Sequence, residues 1–403
     1  MIPSGWTAKQ SGYSSEQKAW SWFKEQYENI ATHLSEFEQQ ARDRYDQGEF
    51  WWELRPCDYY DIFGEQKLIY PEIAMGPRFT IDTEEYYLNN KCYAIPQKDL
   101  YLLAILNSSL MFESTKLRVS VLGDADSGGR LELRTVHVKN LPILPVESSS
   151  EDAINDIPKT LLADSGAPTD YDHVKESVST PEEHKSVLEW AASEMLQLNE
   201  RFADLNISLL DHLGTYSDGP TLADVGFTQP PKGSADSVLQ ETTEQKPNLR
   251  VGEATIKRES ATSVEVRLTA RYKPDGEGAF ETDQWGYTET DPLPALRITD
   301  LTETEADLIE AFVPVAVDEA GGFAGFRETA TKTNSLVDRL RALTLPAVDE
   351  VEAGLESYVE TMERAEELEE KIERTDELID EIVYELYGLT DEEIEIVEAA
   401  VEE

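Results

Sequence analysis

Asp58 and Asp61 lie just upstream of Glu65 and Lys67 in the stretch PCDYYDIFGEQK. A metal-dependent nuclease uses these residue types: an acidic pair holds Mg2+ and a lysine orients the attacking water. Here the spacing is tight and Pro-Cys-Asp stands where such a site has Pro-Asp, so residues at a strand edge are the plainer reading. The chain has no glycine-rich dinucleotide loop after a strand, no P-loop, no HExxH and no GxSxG. Gly276-Glu277-Gly278 falls in a predicted turn, and His33, His137, His173, His184 and His212 show no ligand spacing. Cys57 and Cys92 are the only cysteines and make neither a zinc set nor a disulfide framework.

Basic and aromatic residues form a denser pattern. Trp51, Trp52, Arg55, Tyr59 and Tyr60 precede Lys67, and Arg78, Lys91, Lys98, Lys116, Arg118, Arg130, Arg134 and Lys139 follow. The 403-residue chain carries 82 acidic and 35 basic side chains, a net charge of −47. Residues 1–150 are net −7 and residues 151–403 net −40, yet residues 66–145 hold 9 basic and 9 acidic residues. If carboxylates serve as a general solvated surface, as in a halophilic host, a neutral window marks a face where repelling anions would be harmful. The hydrophobic share of 40% is enough for a packed core and argues against a disordered polyanion. There is no apolar run of transmembrane length and no basic-then-apolar leader, so a cytoplasmic protein is expected.

The elements that would carry these residues are legible from periodicity. Trp20, Phe23, Tyr27, Ile30, Leu34 and Phe37 predict one helix over 16–47, stopped at Gly48. FWWELR, KLIYPEI, RFTID and CYAIP predict strands, Leu100 to Phe112 a helix broken near Asn107-Ser108-Ser109, and RLELRTVHVKNLPILP a further strand. Leu188, Ala191, Met195, Leu198, Phe202, Leu205 and Leu209 make a heptad seam, as do residues from Val351 to Leu386, with a stammer at Ala365. Residues 216–250 are expected to be a flexible loop, and TETE from Thr302 to open a helix with a capping box. The fold class is α+β: an N-terminal helical junction (1–50), a mixed α/β domain (51–147), a linker (148–182), a spacer helix (183–214), a β-rich lobe (215–335) and a C-terminal heptad helix (336–403). The two seams are expected to pair as an antiparallel coiled coil. Residues 347–403, with 3 basic and 23 acidic side chains, read as a solvated face.

YENIATHLSEFEQQARDRYDQGEFWWELRPCDYYDIFGEQKLIYPEI resembles the junction between catalytic and recognition domains in fused type IIG and type IIL restriction–modification methylases. FTIDTEEYYLNNKCYAIPQKDLYLLAILNSSLMFE and RLELRTVHVKNLPILPV resemble their TaqI-like C-terminal target-recognition domain, and TDELIDEIVYELYGLTDEEIEIVE their closing helix. The resemblance is strongest over 27–147 and 375–398. It implies sequence-specific recognition of double-stranded DNA, with Arg55, Lys67, Arg78, Asn107, Ser108, Lys116, Arg118, Arg130, Arg134 and Lys139 as DNA-facing residues. Family members carry an upstream methylase domain with an Asn-Pro-Pro-Tyr-type motif and a glycine-rich S-adenosylmethionine loop. Neither is present here; the one Pro-Pro is Pro230-Pro231. The resemblance therefore implies the recognition half of an adenine-specific methyltransferase system, as a split subunit or a remnant, with no catalytic, cofactor or metal residues of its own. S-adenosylmethionine, with Mg2+ as a further candidate, would belong to a separate methyltransferase/endonuclease subunit. The alternative is an acidic interaction protein that mimics DNA; the neutral window at 66–145 argues against it.

Overall fold

The computed structural model describes residues 2–119, 121–122, 130–146, 174, 178–274, 282–283, 285–318 and 333–402. Most of the expected linker at 148–182, the PDGEG turn and His173 lie outside the described residues. The fold is α+β and divides into two units, residues 1–199 with 371–403, and residues 200–370.

The first unit opens with α1 (Trp6–Ser11), α2 (Glu16–Gln26), α3 (Glu28–Glu36) and α4 (Glu38–Arg42), where one helix over 16–47 was expected. The backbone leaves helical geometry at Tyr27 (φ −135°, ψ 55°) and again at Phe37. The breaks re-aim the chain so that Ala19, Phe23 and Ala31 all enter one small core, and Ile30 is half exposed. Phe50, Trp51 and Trp52 fill that core from a turn, not from a strand. A strand would send alternate side chains to opposite faces, whereas all three rings are buried here. Glu53 is buried among them and holds the start of α1: its carboxylate accepts from the backbone N–H groups of Gly5 (2.9 Å), Thr7 (2.9 Å) and Phe50 (3.2 Å). The Trp52 indole donates to Thr7 Oγ1 at 3.0 Å, and the Arg44 guanidinium donates to the carbonyls of Trp51 and Glu53. The aromatic cluster thus forms its own core with α1–α4.

Two small antiparallel sheets follow. β1 (Lys67–Pro71) lies between β3 (Thr80–Asp82) and β4 (Cys92–Ile95), in register Leu68↔Ile81 and Leu68↔Ile95. β6 (Arg130–Glu132) lies between β2 (Ile73–Ala74) and β5 (Val121–Leu122). Between these strands run α5 (Leu100–Asn107), capped by Asp99, and α6 (Ser109–Lys116), capped by Ser108, so the helix breaks where expected. The run expected as one strand from Arg130 is strand only through Glu132; Thr135–Val138 is a short helix, α7. The NLPILP exit is strapped instead by tyrosines: Tyr101 donates to the Leu144 carbonyl (2.7 Å) and Tyr387 to that of Pro142 (2.8 Å).

α8 (Pro181–Ala203) ends before Leu205, which cuts the expected seam, and Leu209 begins a separate short helix, α9 (Leu209–Leu213). In the second unit β7 (Asp218–Thr221) and β8 (Phe227–Gln229) lie inside the expected flexible loop. Leu222, Val225, Leu239 and Leu249 pin that segment to the unit's core. β9 (Arg250–Ser260) and β10 (Ser263–Tyr272) form a hairpin; β10 also pairs with β11 (Thr288–Glu289) and β12 (Leu293–Thr299), and β12 pairs with β8. α10 (Glu303–Asp318) packs on β9 and starts as expected: Thr302 Oγ1 accepts from Glu305 N, and the Glu305 carboxylate accepts from Thr302 N. α11 (Leu336–Arg341) and β13 (Thr344–Pro346), which pairs with β7, complete the unit.

α12 (Val348–Tyr387) is a single forty-residue helix that runs unbroken through the stammer at Ala365, and α13 (Asp391–Glu402) follows it. Within the first unit Leu378, Ile379, Ile382 and Val383 of α12 share a core with Val187, Leu188, Ala191 and Ala192 of α8 and with the α5 leucines. α13 packs on α6. Among the described residues no helix is long and apolar enough to cross a membrane.

Candidate nucleic-acid interface

Three of the ten expected DNA-facing residues are committed inside the protein. The Lys67 ammonium is fully buried against the Asp82 carboxylate at 2.5 Å, and it also donates to the carbonyls of Phe63 and Glu65. It cannot reach a phosphate or orient a catalytic water. Asp58, Asp61 and Glu65 stay exposed, and among the described residues no group of three His, Cys, Asp or Glu gathers to hold a metal. Asn107 uses its amide to join α5 to the sheet: Nδ2 donates to the Phe79 carbonyl and Oδ1 accepts from Phe79 N, both at 3.0 Å. Ser108 is buried as the cap of α6. Lys116 is half withdrawn, tied to Glu113 and to the Ala400 carbonyl of α13.

The other six, Arg55, Arg78, Arg118, Arg130, Arg134 and Lys139, are exposed. Their elements explain why they stand out. Arg130 sits in β6, and Arg134 precedes α7 and pairs with Glu132 at 2.7 Å. Lys91, on the β3–β4 loop, pairs with Glu72 at 2.8 Å. The hydrogen bond that Arg134 donates to Glu132 raises the guanidinium above its ordinary range, and the one that Lys91 donates to Glu72 does the same for its ammonium. These exposed pairs hold the cations in place while adding little stability. Lys139 lines a cavity of about 270 Å3 walled by Tyr70, Ile95, Leu102 and Leu141. Arg118 is folded back onto the Ser114 carbonyl and hydroxyl.

An aromatic edge was not foreseen. Asp82 accepts from the backbone N–H groups of Glu84 and Tyr86, both at 2.9 Å, and Glu85 adopts a left-handed φ of 59°. The turn so formed leaves Tyr86 and Tyr87 exposed, and the Tyr87 ring packs 5.4 Å from Phe63. Arg55 donates to the Tyr59 hydroxyl at 3.3 Å, and Tyr60 to the Arg55 carbonyl at 2.9 Å. The buried Lys67–Asp82 pair therefore positions an exposed tyrosine turn instead of touching a ligand itself. The signal in the sequence was Asp82 followed by Glu84-Glu85-Tyr86-Tyr87.

These strands, the Asn107–Ser108 break and the Pro-rich exit lie within one stretch of chain, and that stretch has a known likeness. Residues 21–143 match the TaqI-like C-terminal specificity domain. No curated protein and no solved structure matches the chain. All ten residues expected from sequence lie inside the matched stretch, as does the Tyr86–Tyr87 turn. The match begins within α2, so Phe23, Ala31, Phe50, Trp51 and Trp52 of the aromatic core fall in the matched stretch together with the two sheets, while Ala19 and α1 precede it. A specificity domain of this kind points to DNA target recognition in a restriction–modification system.

Proposed function

We propose that this chain recognises a specific double-stranded DNA sequence and presents it to an adenine-N6 methyltransferase or endonuclease encoded outside these 403 residues. The match of residues 21–143 to the TaqI-like specificity domain carries the reading. Arg78, Arg118, Arg130, Arg134 and Lys139 are the residues proposed to face DNA, arginine being the side chain best suited to guanine edges and phosphates. Lys67, Asn107 and Ser108 serve as scaffold. The chain contributes no methyl-transfer chemistry in this scheme; S-adenosylmethionine is held by the partner. The protein works in the cytoplasm, and its acidity is an adaptation to a saline interior. The test is methyl transfer from labelled S-adenosylmethionine to DNA, using this chain, a catalytic partner and both together. Transfer only with both present is expected. Robust transfer by this chain alone would overturn the proposal.

A further inference from the structure

In the second unit, outside the specificity domain, three cations converge on one ring. The Arg250 and Arg271 guanidinium carbons lie 5.0 and 5.3 Å from the Tyr287 ring centre, and the Lys273 ammonium lies 4.9 Å from it. Register places Arg250 directly opposite Arg271 on neighbouring strands. Like charges so placed repel, and a sheet stabilised for its own sake would not keep them. Two carboxylates share the site. Asp283 pairs with Arg271, and Glu289, opposite Arg271 on the other side, accepts from the Thr269 hydroxyl. Among the described residues three cations thus meet two carboxylates around the Tyr287 ring. A fourth cation, Lys246, lies 4.0 Å over the ring of Tyr272.

Beside the patch Asp283 holds the backbone N–H groups of Trp285, Gly286 and Tyr287. Its carboxylate accepts from Trp285 N (2.8 Å) and Tyr287 N (2.9 Å), and its carbonyl from Gly286 N (2.9 Å), with Gly286 at a left-handed φ of 77°. The turn leaves the Trp285 side chain 64% exposed. A large indole held out to solvent next to clustered cations matches the way proteins hold unpaired nucleotides: bases stack on aromatic rings while cations follow the phosphates.

We infer that the Arg250–Lys273–Tyr287–Trp285 patch is a binding site for single-stranded nucleic acid, with a base stacked on Trp285 and phosphates on Arg250 and Lys273. The site is separate from the specificity domain, and single-strand binding there stands or falls independently of duplex recognition. Trp285 is the only tryptophan between residues 200 and 370, so its emission can be assigned by substitution. The experiment titrates the full chain with a short oligothymidylate, and with a duplex of equal length, in about 0.1 M KCl, where electrostatic reach is about 10 Å. The oligothymidylate should quench tryptophan emission, and Trp285→Phe should abolish the quench while anisotropy still reports binding. Arg250→Ala with Lys273→Ala should weaken single-strand affinity about tenfold or more, whereas Arg250→Lys with Lys273→Arg should bind as the parent does. Quenching that survives Trp285→Phe, affinity unchanged by the alanine pair, or a duplex that quenches Trp285 as strongly as the oligothymidylate does would each overturn the inference.

Discussion

Lys67 Nζ lies 2.5 Å from Asp82 Oδ2, with both side chains withdrawn from solvent, and Asp82 in turn holds the N–H groups of Glu84 and Tyr86. One buried ion pair thus fixes the edge strand β3 to β1 and sets the turn that exposes Tyr86 and Tyr87. Lys67→Met leaves the Asp82 carboxylate without its counter-charge and is expected to cost about 3–5 kcal/mol. Urea unfolding checks this, and Lys67→Met with Asp82→Asn should recover part of the loss.

The same pair sets an acid limit. Burial acts to raise the Asp82 carboxyl, but the Lys67 ammonium and the two backbone N–H groups outweigh it, so Asp82 titrates below its usual range. A depressed carboxyl contributes stability above its unfolded value, about 3.9, that is lost as pH falls through the folded value. Acid unfolding of the first unit should therefore be shallower in Asp82→Asn than in the parent, as followed by near-ultraviolet circular dichroism.

Asp380 carries the opposite sign. Its carboxylate accepts from Ser109 N at 2.7 Å at the start of α6, yet burial raises it to about 6, with Asp376 and Glu398 adding to the rise. A raised carboxyl favours the protonated folded state, so stability grows as pH falls from above 6 towards the unfolded value. Asp380→Asn keeps an acceptor for Ser109 and removes the charge. It should stabilise the protein by about 1–3 kcal/mol above pH 7 and change little near pH 4. Thermal melts across that range give the difference.

Much of the local structure was legible because its causes are local. Thr302 and Glu305 announce their capping box within four residues, and Ser108 breaks α5 from α6 where its hydroxyl can cap. The strands of KLIYPEI, RFTID and CYAIP follow from β-branched and aromatic runs between turn residues. What stayed hidden is long-range. Lys67 looks like a cation at a strand edge until Asp82, fifteen residues on, is paired beside it. The breaks at Tyr27 and Phe37 depend on the Phe50–Trp52 core they must face. Arg250, Lys273 and Tyr287 meet only because separate strands and a turn bring them together.

Glu53 gives a test of the aromatic core. Its carboxylate satisfies three backbone N–H groups from within the buried cluster. Glu53→Ala leaves those donors without their partner and is expected to cost about 1–3 kcal/mol for each buried one left unmade. The loss should appear as reduced thermal stability with a changed tryptophan emission maximum.

Salt separates base reading from phosphate attraction. In ordinary complexes counterion release makes affinity fall steeply as salt rises. In molar KCl the electrostatic reach is about 3 Å, and binding must lean on hydrogen bonds to base edges, each bidentate contact giving about 1–3 kcal/mol of discrimination. Cognate binding, with the partner present, should persist or strengthen into molar KCl by fluorescence anisotropy. A steep loss would show that the exposed arginines hold phosphates alone.

Selection of duplexes from a random pool by the full chain, followed by sequencing of the bound fraction, tests target recognition most directly. A defined short motif should be enriched, and Arg118→Ala, Arg130→Ala and Arg134→Ala should relax particular positions of that motif instead of lowering recovery uniformly. Recovery without an enriched motif, or a motif that survives all three substitutions together, would contradict the proposal that these residues, in the stretch matching the TaqI-like specificity domain, read DNA sequence.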